Sequence, residues 1–191
     1  MDNSQKCQQF IELLAKWNNA YNLTAIRDKD KMLSHHLQDS LSVNNYLQGT
    51  RILDVGTGAG LPGIPLAITN PDKQFVLLDS NGKKTRFIQH VIHQLKLDNV
   101  EVVQTRVEDF QTDKPFSTIV SRAFASISKY YQMVSHLLDE QTIVLAMQGK
   151  MPQQEIDELR SKSVKIHGEP LQVSGLNAER CVVIIQRKSR D

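Results

Sequence analysis

Cysteine is nearly absent from this 191-residue sequence, which contains only Cys7 and Cys181. Two cysteines are too few for a disulfide framework, and these two also lack a Cys-x-x-Cys spacing. We therefore expect both thiols to be reduced packing residues of a cytoplasmic protein. We expect no metal site.

Long apolar runs and an excess of one charge are also missing. No run approaches the roughly 20 apolar residues of a membrane span, and the N-terminus has no apolar signal stretch, so neither membrane insertion nor secretion is expected. The 23 Lys and Arg nearly balance the 21 Asp and Glu, which leaves a net charge of +2. Any site for nucleic acid must therefore be a local basic patch.

The first 48 residues show helical periodicity. Apolar residues three and four apart predict an amphipathic helix over Ser4–Tyr21, with Ser4 as its cap. A second helix is predicted over Asp30–Leu47, with a buried side formed by Met32, Leu33, His36, Leu37, Leu41 and Val43. We expect residues 1–48 to form a helical extension that packs on a core domain formed by residues 49–191.

From Arg51 onwards, short apolar runs alternate with helical segments, which is typical of a parallel sheet covered by helices. The predicted helices are Pro62–Ile68, Lys83–Leu95, Ile127–Leu138 and Pro152–Ser161. The sequence thus predicts an α/β, Rossmann-like fold with seven strands, of which the last two form an antiparallel pair at one edge. The predicted strands are Ile52–Val55, Phe75–Leu78, Val100–Val103, Thr118–Val120, Ile143–Ala146, Val164–Ile166 and Cys181–Ile185.

Three alternate glycines, Gly56, Gly58 and Gly60, follow the first strand, where only glycine lets a ligand lie directly on the backbone. A dinucleotide fingerprint would place its third glycine at Leu61, and the Gly-Lys-Ser/Thr ending of a phosphate loop is missing. The remaining interpretation is the Asp-x-Gly-x-Gly-x-Gly loop of class I S-adenosylmethionine methyltransferases, which begins at Asp54. A purely structural strand-to-helix turn is the alternative.

A second acidic residue, Asp79, ends the next predicted strand, 25 positions after Asp54. A carboxylate at this place can accept both ribose hydroxyl protons, although an ordinary acid at a strand end is the alternative. After the third strand, the segment Arg106–Asp109 could offer backbone amides and an acid beside the adenine ring. Together these positions predict a cofactor site at the carboxyl ends of the strands.

The absence of certain catalytic motifs from the sequence reduces the number of possible methyl acceptors. Ser121-Arg122-Ala123-Phe124 follows the fourth strand in place of the Asn/Asp-Pro-Pro-aromatic motif that binds an exocyclic amine. Neither cysteine is expected at a strand end facing the cofactor, which disfavours a covalent thiolate mechanism. Acceptors that need little activation remain, and guanine N7, which carries no proton, is one of them.

Several blocks of sequence resemble the RsmG (GidB) family. They are Trp17-Asn18 with Tyr21–Ile26, His36–Leu41, Asp54–Pro65 and Ser121–Ala125, within a likeness that runs from about Phe10 to Ile185. The resemblance implies methylation of guanine N7 in a functional-centre loop of bacterial 16S rRNA, on the RNA or on an assembly intermediate of the small ribosomal subunit. Gln148 stands where the family usually has lysine, and the N-terminus is shorter than in many relatives.

The resemblance also implies which residues bind the cofactor, S-adenosylmethionine. They are Gly56, Leu61, Val107, Glu108 and Arg122, to which the arguments above add Gly58 and Asp79.

Candidate RNA-binding residues are the basic side chains near this site, Lys83, Lys84, Arg106 and Arg122. A solvated helix face is the alternative for the two lysines. No general base is expected, and we interpret His36 as a structural residue paired with Asp39.

A monomer is expected, because no dimerisation stripe is left over. Two alternative functions remain open: a small-molecule methyltransferase with the same cofactor site, and a non-catalytic RNA-binding assembly factor.

Overall fold

A computed structural model describes residues 1–122, 126–160 and 164–188 of the chain. Ala123, Phe124 and Ala125 of the motif after the fourth strand lie outside the described residues. So do Ser161 at the predicted helix end and the last residues of the C-terminal tail.

The seven predicted strands form one sheet in the order β3-β2-β1-β4-β5-β7-β6. The first five strands are parallel, and β7 runs antiparallel to both β5 and β6. This confirms the predicted fold class, a Rossmann-like, mostly parallel sheet. The strands are β1 (Arg51–Val55), β2 (Gln74–Asp79), β3 (Val100–Gln104), β4 (Thr118–Arg122), β5 (Ile143–Gln148), β6 (Val164–Pro170) and β7 (Cys181–Arg187).

Helices cover both faces of the sheet because successive strand residues point to opposite sides. Ile52 and Leu77 face one apolar core, whereas Leu53 and Val76 face the other. The helices are α1 (Asn3–Tyr21), α2 (Lys29–Met32), α3 (Asp39–Leu41), α4 (Gly63–Thr69), α5 (Gly82–Leu95), α6 (Ile127–Val134) and α7 (Gln153–Arg160). Within the described ranges, none of the helices is both long and apolar enough to span a bilayer.

Helix α1 begins one residue earlier than predicted, at Asn3, and its cap is Asp2 rather than Ser4. The Asp2 carboxylate accepts the Gln5 N–H at 2.9 Å, while the Gln5 side chain accepts the Asp2 N–H at 3.0 Å, which forms a reciprocal capping box. The buried side of α1 packs on α4 and α5. Trp17 is half-buried against Phe87, whereas Tyr21 is exposed.

The prediction of one continuous helix over Asp30–Leu47 is wrong. A π-helical segment, Leu33–Gln38, lies between α2 and α3, and a 3₁₀ turn, Asn44–Tyr46, follows. A π turn holds one more residue than an α turn, so it shifts the buried face along the chain. As a result Leu33 turns to solvent while His36 and Asp39 are buried.

The helical extension and the sheet contribute side chains to one apolar core. Phe10, Ile11 and Leu14 of α1 belong to the same cluster as Ile52 and Phe75 of the sheet. A domain boundary between residues 48 and 49 remains a prediction.

Candidate active site

The carboxyl ends of β1, β2 and β3 surround a first cavity of about 280 Å³. Parallel strands bring these ends to one edge of the sheet, which is where ligands of open α/β sheets bind. The cavity is lined by Val55, Gly56, Leu78, Asp79, Ser80, Lys84, Thr105, Arg106, Val107, Glu108 and Met133.

The glycines after β1 have different roles. Gly58 and Gly60 both have positive φ angles, +61° and +82°. A Cβ atom on Gly60 would lie 2.6 Å from Ile64 Cγ1, so this glycine lets the loop pack on α4. A Cβ atom on Gly58 would meet no atom nearer than 3.9 Å. Gly58 therefore borders open space beside Asp79.

Asp79 connects the glycine loop to the end of β2. Its Oδ2 accepts the Gly58 N–H at 2.9 Å, and its Oδ1 accepts the Asn81 N–H at 2.8 Å. Lys84 Nζ lies 3.7 Å from Oδ2. Each carboxylate oxygen has two lone pairs, so both can still accept a hydrogen bond from a ligand in the cavity.

Asp54 supports the same loop from inside the protein. Its Oδ2 accepts the Thr57 hydroxyl at 2.6 Å and the Gly63 N–H at 2.8 Å. The side chain is fully buried, and burial raises its pKa to about 6. The motif residue Asp54 thus shapes the loop and does not line the cavity.

The structure brings together most of the predicted cofactor residues. Gly56, Asp79, Val107 and Glu108 line the first cavity, and Gly58 donates a hydrogen bond to Asp79. Leu61 is buried and does not line it. Their contacts with a cofactor remain predictions.

Of the four predicted RNA-binding side chains, two line this cavity. Lys84 is half-buried there and Arg106 is exposed. Lys83 is exposed and does not line this cavity, and Arg122 lines a second cavity.

The second cavity, of about 330 Å³, opens where β4 and β5 end and β7 begins. The π segment closes one side of it with His35 and His36. The lining residues are Ile26, His35, His36, Asp39, Arg122, Met147, Gln148, Gly149, Leu171, Arg180 and Cys181.

One buried carboxylate joins two arginines at this cavity. Asp39 Oδ2 accepts from Arg122 Nη1 at 3.2 Å, and Asp39 Oδ1 accepts from Arg180 Nε at 2.8 Å. Arg122 Nη1 also lies 3.3 Å from the carbonyl oxygen of His35. Sequence reasoning missed Arg180, although its place directly before β7 puts it at the carboxyl edge once that strand is antiparallel.

His36 is buried, and its hydrogen-bond partner is Thr24 rather than the predicted Asp39; a purely structural role for it stays a prediction. Its Nε2 lies 2.8 Å from the Thr24 hydroxyl, and its Nδ1 lies 3.1 Å from the His35 carbonyl oxygen, which can only accept. Nδ1 therefore carries the proton and Nε2 accepts from Thr24. Burial, and then the charge of Arg122, lower the pKa of His36 to about 4.

We expect this neutral histidine to make the fold sensitive to acid. The folded-state pKa lies below the ordinary value of 6.5, so the unfolded chain takes up the proton first as the pH falls. The neutral histidine contributes its full stabilisation above pH 6.5. About 2 to 3 kcal/mol of the free energy of unfolding is then lost as the pH falls from 6.5 to about 4. Urea unfolding at several pH values measures this loss, which His36→Asn should reduce and His167→Asn, at an exposed site, should not. An equally steep loss in His36→Asn would contradict the assignment.

Cys181 lies at the second cavity, at the start of β7, and does not line the first cavity, where the cofactor is expected. The sequence argument overlooked that an antiparallel strand begins at the edge where its parallel neighbours end. Burial raises the pKa of the Cys181 thiol, so the thiolate that a covalent mechanism needs is disfavoured.

The described residues contain no group of three or more His, Cys, Asp or Glu side chains that could hold a metal ion. The charged side chains at the two cavities are carboxylates, which accept hydrogen bonds, and guanidinium and ammonium groups, which donate them. This set suits polar organic ligands and anions.

Comparisons with known proteins find matches that cover nearly the whole chain. Residues 3–184 match the GidB family model, described as rRNA small subunit methyltransferase G. The chain is 51% identical over 183 residues to the Ribosomal RNA small subunit methyltransferase G of Psychromonas ingrahamii, covering 96% of this chain and 88% of that protein.

Solved structures with little sequence identity share the fold. A precorrin-6y C5,15-methyltransferase from Geobacter metallireducens is 13% identical, with a TM-score of 0.60 over 89% of this chain and 92% of that one. A SAM dependent methyltransferase from Aquifex aeolicus is 16% identical, also with a TM-score of 0.60, over 82% and 93% of the two chains.

Proposed function

The chain belongs to the GidB family of rRNA small subunit methyltransferases G, and we propose that it transfers a methyl group from S-adenosylmethionine to guanine N7 in a functional-centre loop of bacterial 16S rRNA. The observation that carries this proposal is the first cavity, where Asp79 and the glycine loop meet at the carboxyl edge of the sheet. The rRNA substrate is proposed from membership of the family, and S-adenosylmethionine as the methyl donor is proposed from the residues at the cavity.

The residues at the first cavity fit S-adenosylmethionine. Asp79 is 8% exposed, and both of its oxygens retain lone pairs for the two ribose hydroxyls. Val107 and Glu108 follow β3 in a 3₁₀ turn, where backbone amides can meet the edge of an adenine ring. Gly58 keeps the space beside Asp79 open.

When bound, S-adenosylmethionine would supply a methyl group on a positively charged sulfur, and an electron pair of the acceptor would bond to the methyl carbon as the carbon–sulfur bond breaks and the neutral thioether leaves. The residues of this chain then have to bind the donor, align the acceptor with the methyl carbon and exclude water. Asp79 and the loop after β1 fix the donor. The second cavity lies beside them, since β1 and β4 are neighbouring strands.

Guanine N7 suits the second cavity because three of the groups that line it, His36, Asp39 and Cys181, cannot serve readily as a base. His36 is neutral, and its Nε2 is occupied by the Thr24 hydroxyl. Both oxygens of Asp39 are paired with arginines, and the pKa of Cys181 is raised. An acceptor that carries no proton to remove needs none of these groups.

The proposal includes a monomer in the cytoplasm that acts on 16S rRNA or on a small-subunit assembly intermediate. The helical extension of residues 1–48 would belong to the active site, because it contributes Asp39 and His36 to the second cavity. A binding contribution to RNA from Lys84 and Arg106 at the rim of the first cavity is part of the same proposal.

A labelling experiment tests the proposed function. The protein is incubated with radiolabelled S-adenosylmethionine and either small subunits or total RNA from cells that lack it, and the labelled nucleoside is identified by mass spectrometry. We expect 7-methylguanosine at one position of 16S rRNA. Label in small metabolites alone would indicate a small-molecule methyltransferase, and tight RNA binding without label would indicate an assembly factor.

The rate of methyl transfer should depend only weakly on pH between about 5.5 and 8, because no side chain has to act as a base. Replacing Arg122 by glutamine should slow single-turnover transfer by about tenfold or more, since loss of a charged hydrogen-bonding partner costs about 1.5 to 3 kcal/mol. His36→Asn should have the smaller effect on folded protein. A sharp loss of rate below pH 6.5 that disappears in His36→Asn would show a histidine base and exclude this mechanism.

A further inference from the structure

Arg180 has unused hydrogen-bonding capacity at the second cavity. Its Nε donates to Asp39, and its Nη1 donates to the backbone oxygen of Glu179 at 2.7 Å. Among the described residues nothing accepts a hydrogen bond from its Nη2. Hydrogen bonds from Nε and Nη1 thus fix the guanidinium in place, while Nη2 can donate to a ligand.

The charge at this cavity is not balanced. Asp39 is the single acidic residue among the described residues that line it, whereas Arg122 and Arg180 are both cationic. A buried carboxylate needs a compensating charge, but one arginine would neutralise it. The second arginine leaves a net positive charge of about one at the cavity, which favours an anionic ligand.

One part of the lining is apolar. Ile26, Met147 and Leu171 contribute side chains to it, beside the uncharged thiol of Cys181. An apolar wall next to a fixed guanidinium matches a nucleotide, which combines a flat base with a charged phosphate. A base reaches such a cavity only after it leaves its stack in the RNA.

The position of the cavity brings such a base close to the methyl donor. The Ser121 hydroxyl at the end of β4 donates to the Val55 carbonyl oxygen at the end of β1 at 2.7 Å. The two cavities therefore open at the ends of two neighbouring strands, β1 and β4. Neighbouring strands in a sheet lie roughly 5 Å apart. The π segment beside the second cavity is an independent sign, because such turns are frequent at functional sites.

We propose that the second cavity receives the nucleotide to be methylated and that Arg180 binds a phosphate of the RNA at that nucleotide through Nη2. Asp39 is a positioning residue, since it holds Arg180 by its Nε and Arg122 by its Nη1. The inference rests on the proposed function and adds a substrate-binding residue to it.

The test compares Arg180→Gln with Arg160→Gln in the full chain. Arg160 is exposed at the far end of α7, and among the described residues it pairs only with Asp157, so it serves as a matched control. For methylation of small subunits or 16S rRNA, Arg180→Gln should raise KM about tenfold and change kcat by less than about threefold. Arg160→Gln should change neither.

Salt dependence separates a phosphate contact from a structural effect. The slope of log(kcat/KM) against log salt should become shallower by about 0.7 in Arg180→Gln, as expected for one lost contact with single-stranded RNA. Arg180→Lys keeps the charge, so it should retain most of the slope while KM rises moderately. Calorimetric affinity for S-adenosylmethionine should stay unchanged in all three variants, which also shows that they are folded.

Asp39→Asn tests the positioning role. It should raise KM in the wild-type background, and it should add less in the Arg180→Gln background, because the part of its effect that acts through Arg180 is already lost there. Fully additive effects would overturn the positioning role.

Two other outcomes are distinguishable. Reduced affinity of Arg180→Gln for S-adenosylmethionine, with an unchanged KM for RNA, would assign the guanidinium to the methyl donor and overturn the inference alone. Absence of any rRNA methylation by the wild-type protein would overturn the proposed function and this inference together.

Discussion

Gly58→Val is expected to abolish detectable binding of S-adenosylmethionine, with a loss of affinity of at least about a thousandfold. A valine side chain here would extend into the open space beside Asp79, where the proposed ligand lies. The two γ-methyl groups of the valine would overlap with the ligand, since β-branched side chains have little rotamer freedom. Isothermal titration calorimetry with the folded variant measures the effect.

The strain of a side chain at positive φ has to be separated from the loss of ligand space. Gly175 also has a positive φ angle, +73°, but lies in an exposed segment before β7. Gly175→Val therefore imposes similar backbone strain, of order 1 to 2 kcal/mol, without filling the first cavity. Unchanged affinity in folded Gly58→Val would show that this loop does not bind the methyl donor.

The parts of the fold that repeat over short distances could be predicted from the sequence. All seven strands were predicted because each is a short apolar run, and the parallel order follows from the helices between them. The glycine loop and Asp79 were predicted as neighbours because both come directly after adjacent parallel strands. Their contact, from the Gly58 N–H to Asp79 Oδ2, spans 21 residues.

Contacts over long distances in the chain could not be predicted in the same way. Arg180 and Asp39 are 141 residues apart, and no periodic pattern connects a π turn to the start of an antiparallel strand. The irregular turn itself gave no signal, since its apolar spacing resembles that of an α-helix. Reasoning from residues three or four apart in the sequence also paired His36 with Asp39, whereas in the structure His36 hydrogen-bonds Thr24 from the preceding loop.

The two cavities differ in how far sequence reasoning reaches them. The first consists of segments that follow β1, β2 and β3 directly, so strand prediction locates it. The second combines the π segment, the ends of β4 and β5 and the start of β7. Its residues are spread along the chain from Ile26 to Cys181, and only the antiparallel direction of β7 brings Arg180 and Cys181 to the others.

Asp79→Ala is expected to weaken S-adenosylmethionine binding by about a hundredfold. Loss of a charged acceptor for the ribose hydroxyls costs about 1.5 to 3 kcal/mol, and loss of the acceptor for the Gly58 N–H loosens the loop by a further 0.5 to 1.5 kcal/mol or so. Each 1.4 kcal/mol corresponds to about tenfold in affinity.

Two variants identify the cause of that loss. Asp79→Asn retains one oxygen acceptor, so its affinity should lie between those of the wild type and Asp79→Ala. Asp72→Ala removes an exposed acid just before β2, at the opposite end of that strand, and should leave binding unchanged. The free energy of unfolding of each variant is measured in parallel, since the Gly58 and Asn81 amides lose their acceptor in Asp79→Ala. Normal affinity in a less stable Asp79→Ala would show that the carboxylate only supports the loop and would exclude the ribose contact.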